Sequence, residues 1–98
     1  MNCVGIDVSK GKSMIAVMRP FGEVVISPFE IRHTTSELSE LAKRLKSLDG
    51  ETRVVMESTG NYHVPVAWLL QDAGLYVAVA HEKYFYHLSK PLEFTDFP

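Results

Sequence analysis

Residues 3–9 read CVGIDVS, and the fold is decided there. Val4, Ile6 and Val8 fall on one side of an extended chain and Gly5, Asp7 and Ser9 on the other, the two-residue period of a half-buried strand. Lys10-Gly11 signals a tight turn, and KSMIAVMR at 12–19 resumes the extended pattern, which predicts a hairpin. Pro20-Phe21-Gly22 marks a second turn, and EVVISPFEI at 23–31 reads as a third strand. Pro28 has no N–H to give to a ladder, so this third strand belongs at a sheet edge.

Beyond residue 32 the period changes. Thr34 and Glu37 stand at capping-box spacing, and Leu38, Leu41, Ala42, Leu45 and Leu48 follow at helical intervals until Asp49-Gly50. TRVVME at 52–57 is a short apolar strand. Residues 61–73 contain a second helix with Pro65 in its first turn and Val66, Leu69, Leu70 and Ala73 on one face. Gly74 ends it, and LYVAVA at 75–80 is a last buried strand. The order β-β-β-α-β-α-β implies a mixed α/β sheet, antiparallel first and parallel afterwards. The right-handed crossover rule lets the strand at 52–57 lie parallel to the first strand. Their carboxyl ends then meet, bringing Asp7 beside Glu57 where open sheets bind ligands.

Each of these acids interrupts an apolar strand, where carboxylates are disfavoured. Taken singly, each is explained by capping a loop amide or by pairing with Lys10, Lys12 or Arg53. Taken together, two carboxylates at adjacent strand ends favour a divalent-metal site. Mg²⁺ takes a few carboxylates and keeps several waters. Two such ions about 4 Å apart activate a water or hydroxyl and stabilise the leaving oxygen of a phosphodiester.

Composition narrows the classes. The chain has 98 residues, 46% of them hydrophobic, and one cysteine, Cys3. That length makes one small domain or a piece of a larger one, and a single cysteine forms no internal disulfide, which points to a reducing cytoplasm. The net charge of −2 excludes a polycationic nucleic-acid surface. The longest apolar run, residues 64–70, is too short for a bilayer, so no membrane partner is expected. No basic region precedes an apolar core at the N-terminus, so no secretory signal is read there.

GIDVSK at 5–10 and ESTGNYH at 57–63 closely resemble the two corresponding blocks of the DEDD family of bacterial insertion-sequence transposases. The resemblance covers residues 1 to about 81. It implies a RuvC-like domain of the ribonuclease H-like superfamily at 1–81, incomplete at its C-terminus, followed by an aromatic tail at 82–98. It further implies that Asp7 and Glu57 are the first two catalytic metal ligands of a four-carboxylate site holding two Mg²⁺ or Mn²⁺ ions. The activity implied is DNA strand cleavage and joining, with a structured RNA as a further partner. The family's later two aspartates lie in a helix that this chain does not reproduce. Thr95-Asp96 is the one remnant, which makes Asp96 a candidate third carboxylate. The chain is accordingly expected to be a truncated, frameshifted or degenerate copy, inactive alone.

The turn of Ser58, Thr59, Gly60 and Asn61 offers backbone amides to a phosphate, or is simply a strand-to-helix loop. His63 contacts phosphate, supports Glu57 or is solvent-exposed. Lys10 and Lys12 either steer DNA or are merely solvated. Lys43, Arg44 and Lys46 read as partners of Glu37 and Glu40. Cys3, Tyr62 and Trp68 read as packing residues. Two other classes compete with the transposase reading. GIDVSKG is similar to the first phosphate loop of actin-like ATPases and sugar kinases, and a catalytically dead nucleic-acid-binding or dimerising module retains the same carboxylates. The aromatic residues of 82–98 either cover the chain's own sheet or make a homo-oligomer.

Overall fold

A computed structural model describes residues 1–58, 60–81 and 84–88. The elements are β1 (Asn2–Ser9), β2 (Lys12–Arg19), β3 (Glu23–Arg32), α1 (Thr35–Lys46), β4 (Thr52–Ser58), α2 (Val64–Asp72), β5 (Tyr76–His81) and β6 (Tyr84–Leu88). They build one sheet in the order β3-β2-β1-β4-β5-β6. The first three strands are antiparallel, β4 runs parallel to β1, β5 parallel to β4, and β6 antiparallel to β5. The expected order therefore holds through β5, and the Pro28 strand is an edge. Register shifts break its ladder with β2 between Ile15 and Met18. Within the stretch read as an aromatic tail, residues 84–88 form a sixth strand paired with β5. Tyr84-Phe85-Tyr86 lacks a two-residue polarity period, but aromatic side chains suit a pleated surface.

Both helices pack on one face. Val4, Ile6 and Val8 of β1, Ile15 and Val17 of β2, Val54 and Met56 of β4, and Val77 and Val79 of β5 are buried there. Leu38, Leu41 and Leu45 of α1 and Val66, Ala67 and Leu70 of α2 complete this core. α1 rests on β3, α2 on β5, and the helices touch each other. At the start of α1, Glu37 N donates to Thr34 Oγ1 at 3.2 Å, while the Glu37 carboxylate accepts from the Thr34 hydroxyl and from Arg32 N. This is half of the expected capping box: the Thr34 hydroxyl takes the Glu37 N–H, while the Glu37 carboxylate reaches past the Thr34 amide to the end of β3. Gly11 makes the β1–β2 turn with φ +74°, a region that side chains rarely adopt.

The other face of the sheet, bearing Cys3, Gly5, Asp7, Met14, Val55 and Glu57, is exposed among the described residues. Cys3 is thus not a core residue. The period of β1 groups it with Gly5 and Asp7, and Asn2 is buried in its place. Tyr62 and Trp68 are also only half-covered, at 43% and 49% exposure. Trp68 lies off the α2 stripe of Val66, Ala67 and Leu70, so helical spacing turns it outward. Among the described residues no helix is long and apolar enough to cross a membrane.

Candidate functional site

Asp7 and Glu57 occupy matching positions on parallel neighbours. The register runs Ile6 to Met56, Asp7 to Glu57 and Val8 to Ser58. Strands about 4.8 Å apart therefore carry the two carboxylates side by side, both exposed on the open face. Simple pairing with a cation does not explain them. Lys12 Nζ lies 3.6 Å from Glu30 and Arg53 Nε lies 2.8 Å from Glu51. Among the described residues no cation stands within 4.0 Å of Asp7 or Glu57.

The pair borders a shallow concavity of about 440 Å³, lined also by Gly5, Met14, Ala16, Val55 and Ala80. Small residues on both sides of the acids keep its floor low. A Cβ added at Gly5 meets nothing within 4 Å, so the space above it is open.

The remaining sequence candidates separate into two groups. Lys10, Gly60 and Asn61 are exposed at the same end of the sheet, in the turns after β1 and β4. Ser58 and His63 are not: they are 3% and 0% exposed. Ser58 continues the inward set of Val54 and Met56. His63 stands three, four and seven residues before Val66, Ala67 and Leu70, so helical geometry carries it into the core, and its carbonyl accepts from Ala67 N at 2.8 Å. The solvent-exposed alternative for His63 is therefore corrected, and its ring is not presented to a phosphate. Thr59 and residues 82–83 and 89–98, Asp96 among them, lie outside the described residues, as do the side chains of 81 and 84–88. On α1, Lys43 pairs with Glu40 at 3.9 Å, but Arg44 stacks over Phe29 at 4.6 Å instead of taking a glutamate.

Two residues at this end escape a reading by segments. Arg32 sits directly across from Lys12. His33 Nε2 lies 2.6 Å from the nearly inaccessible Ser13 hydroxyl, and burial lowers the His33 pKa from its ordinary 6.5. The two register shifts between Ile15 and Met18 bring Arg32 rather than Glu30 opposite Lys12, which an even pairing of the 12–19 and 23–31 segments does not give.

The donors fit a divalent cation. Two adjacent carboxylates, engaged by no other cation among the described residues, supply the hard oxygens that Mg²⁺ and Mn²⁺ prefer. Among the described residues no third Asp, Glu, His or Cys joins them in a cluster.

A transposase family model, DEDD_Tnp_IS110, matches residues 4–91. The chain belongs to this DEDD transposase family. No curated protein matches it. Among solved structures it is similar to T. thermophilus RuvC in complex with a Holliday junction substrate, with TM-score 0.56, 14% identity, and coverage of 84% of this chain and 65% of that one. A second Thermus thermophilus RuvC structure gives TM-score 0.53 at 17% identity, covering 83% and 64% of the two chains. Archaeoglobus fulgidus Pelota gives TM-score 0.54 at 21% identity, covering 85% of this chain and 27% of that one. These likenesses show the fold, which is ribonuclease H-like and of the RuvC type. The DEDD transposase chain spans just under two thirds of the RuvC chains' length.

Proposed function

We propose that this chain supplies Asp7 and Glu57 as the first two carboxylates of a divalent-metal site that cleaves and joins DNA strands during transposition. The observation that carries the reading is the register match of the two acids at the ends of parallel β1 and β4. Membership of a transposase family supports the reaction class, and the Holliday junction named with one RuvC neighbour supports DNA as the partner. Mg²⁺ is the preferred ion, with Mn²⁺ as its substitute, and the complete site is of the two-ion type. When bound, such ions would polarise a phosphoryl oxygen and lower the pKa of a water for attack on the phosphorus.

The chain's own part is to hold two oxygen donors side by side on a rigid sheet. The low floor of Gly5, Ala16 and Ala80 leaves room for a phosphodiester to approach them. Two carboxylates underfill the coordination that strand cleavage needs, so further ligands complete the set for activity. Structured RNA and self-association belong to the same proposal, as properties of the assembled transposase.

Iron-directed cleavage tests the assignment. Fe²⁺ replaces Mg²⁺ at an oxygen site and, with peroxide and ascorbate, cuts the polypeptide nearby. Cuts close to residues 7 and 57, lost in Asp7→Asn, are expected; an unchanged pattern in that variant contradicts it.

A further inference from the structure

The strand register lays two rows of residues across the open face. One row runs Ala80, Glu57, Asp7, Met14 and Glu30. The next row toward the β1–β2 turn runs Ser9, Lys12 and Arg32, with Lys10 on the turn itself. Two residues along a strand cover about 6.6 Å and adjacent strands lie about 4.8 Å apart. From Asp7, the Lys12 backbone is then about 8 Å away and the Arg32 backbone about 12 Å away, within reach of long side chains. An acidic row lies beside a basic one.

Among the described residues, the cations of this corner are less firmly paired than most. Elsewhere Arg19 holds Glu23 at 3.0 Å, Arg53 holds Glu51 at 2.8 Å, Lys43 approaches Glu40 at 3.9 Å, and Arg44 covers Phe29. Among the described residues, neither Lys10 nor the Arg32 guanidinium has a carboxylate within 4.0 Å. Lys12 has Glu30 at 3.6 Å, but both side chains are more than half exposed, at 58% and 52%, so water and salt weaken the contact. Lys46, also without a carboxylate within 4.0 Å among the described residues, lies on α1 behind the sheet. His33, which faces Ser13, is held toward its neutral form and adds no charge.

A nucleic-acid backbone brought to two carboxylates is repelled unless cations hold the phosphates on either side. We infer that Lys10, Lys12 and Arg32 form a phosphate-binding corner that grips the DNA backbone next to the phosphodiester placed at Asp7 and Glu57. The inference rests on the proposed role of that pair. Arg32 suits the task because a guanidinium meets a phosphate with two parallel hydrogen bonds. Glu30 is the competitor: Lys12 leaves it for a phosphate when DNA arrives. The corner thereby sets the direction in which a strand crosses the sheet.

Fluorescence anisotropy with labelled DNA and the 98-residue chain, in chelator, tests this without involving metal. The Lys10→Gln/Arg32→Gln double variant is compared with Lys43→Gln/Lys46→Gln, which removes equal charge from the other face. In the first, the slope of log K against log salt is expected to shrink by roughly 1.4 for single strands and 1.8 for duplex. The second is expected to retain the wild-type slope. Glu30→Gln is expected to bind several-fold tighter. Equal losses in the two doubles, tighter binding of RNA than of DNA of the same sequence, or no DNA binding by the wild type overturns the inference. A failure here leaves metal binding at Asp7 and Glu57 standing, and a failure of metal binding leaves this result standing.

Discussion

Asp7 on β1 and Glu57 on β4 are direct register partners on parallel strands, exposed on the sheet face that the helices leave open. Like charges placed directly across adjacent strands repel, by an amount on the order of the 0.2–1 kcal/mol that favourable cross-strand pairs contribute. In chelator, Asp7→Asn is therefore expected to be more stable than the wild type by that margin in urea unfolding. A site that selection keeps for structure would show the reverse, a loss of stability in the variant.

Asn2 anchors the start of β1. It is fully buried, and its Nδ2 donates to Asp49 O at 2.8 Å and Thr52 Oγ1 at 3.1 Å, while its Oδ1 accepts from Arg19 Nε at 3.1 Å. Asn2→Ala leaves these partners unsatisfied and is expected to cost about 2–3 kcal/mol. Asn2→Asp keeps the acceptor but loses both donors, so it should also destabilise. Denaturant midpoints within experimental error of wild type would show that the network is dispensable.

Phe21 occupies the β2–β3 turn with φ +67° and its side chain fully in solvent. The left-handed region costs a residue bearing a Cβ roughly 1–2 kcal/mol. Phe21→Gly is expected to raise stability by up to about 1 kcal/mol, since glycine's extra freedom in the unfolded chain offsets part of the relief. A lower melting temperature for Phe21→Gly would mean that the exposed ring packs somewhere in solution.

Burial holds His33 below its ordinary pKa of 6.5, so on acidification the unfolded chain takes up this proton before the folded one. The His33 contribution is thus fully present above about pH 6.5 and shrinks as the pH falls toward the depressed folded value. Between pH 7 and 5, His33→Gln should lose less stability than the wild type. Parallel pH profiles for the two proteins would contradict the assignment.

Much of this was legible before any coordinates. Alternation in CVGIDVS fixed the faces of β1, Pro28 marked the edge, and the crossover rule brought Glu57 beside Asp7. What escaped depended on relations between segments. Arg32 gains meaning only through its register with Lys12, and His63 reads as a loop residue until helical geometry aligns it with Val66 and Leu70. Cys3 has the chemistry of a core residue, but the strand period places it on the open face beside Gly5 and Asp7. The strand at Tyr84–Leu88 carries no polarity alternation, so pattern alone gave no reason to add it to the sheet.

The central claim, that Asp7 and Glu57 jointly hold a divalent cation, is tested most directly by titrating Mn²⁺ and following the free ion by electron paramagnetic resonance. The account predicts weak, single-class binding by the wild type, competed by Mg²⁺ and abolished in both Asp7→Asn and Glu57→Gln. Mn²⁺ binding that is identical in the wild type and the two variants would contradict it.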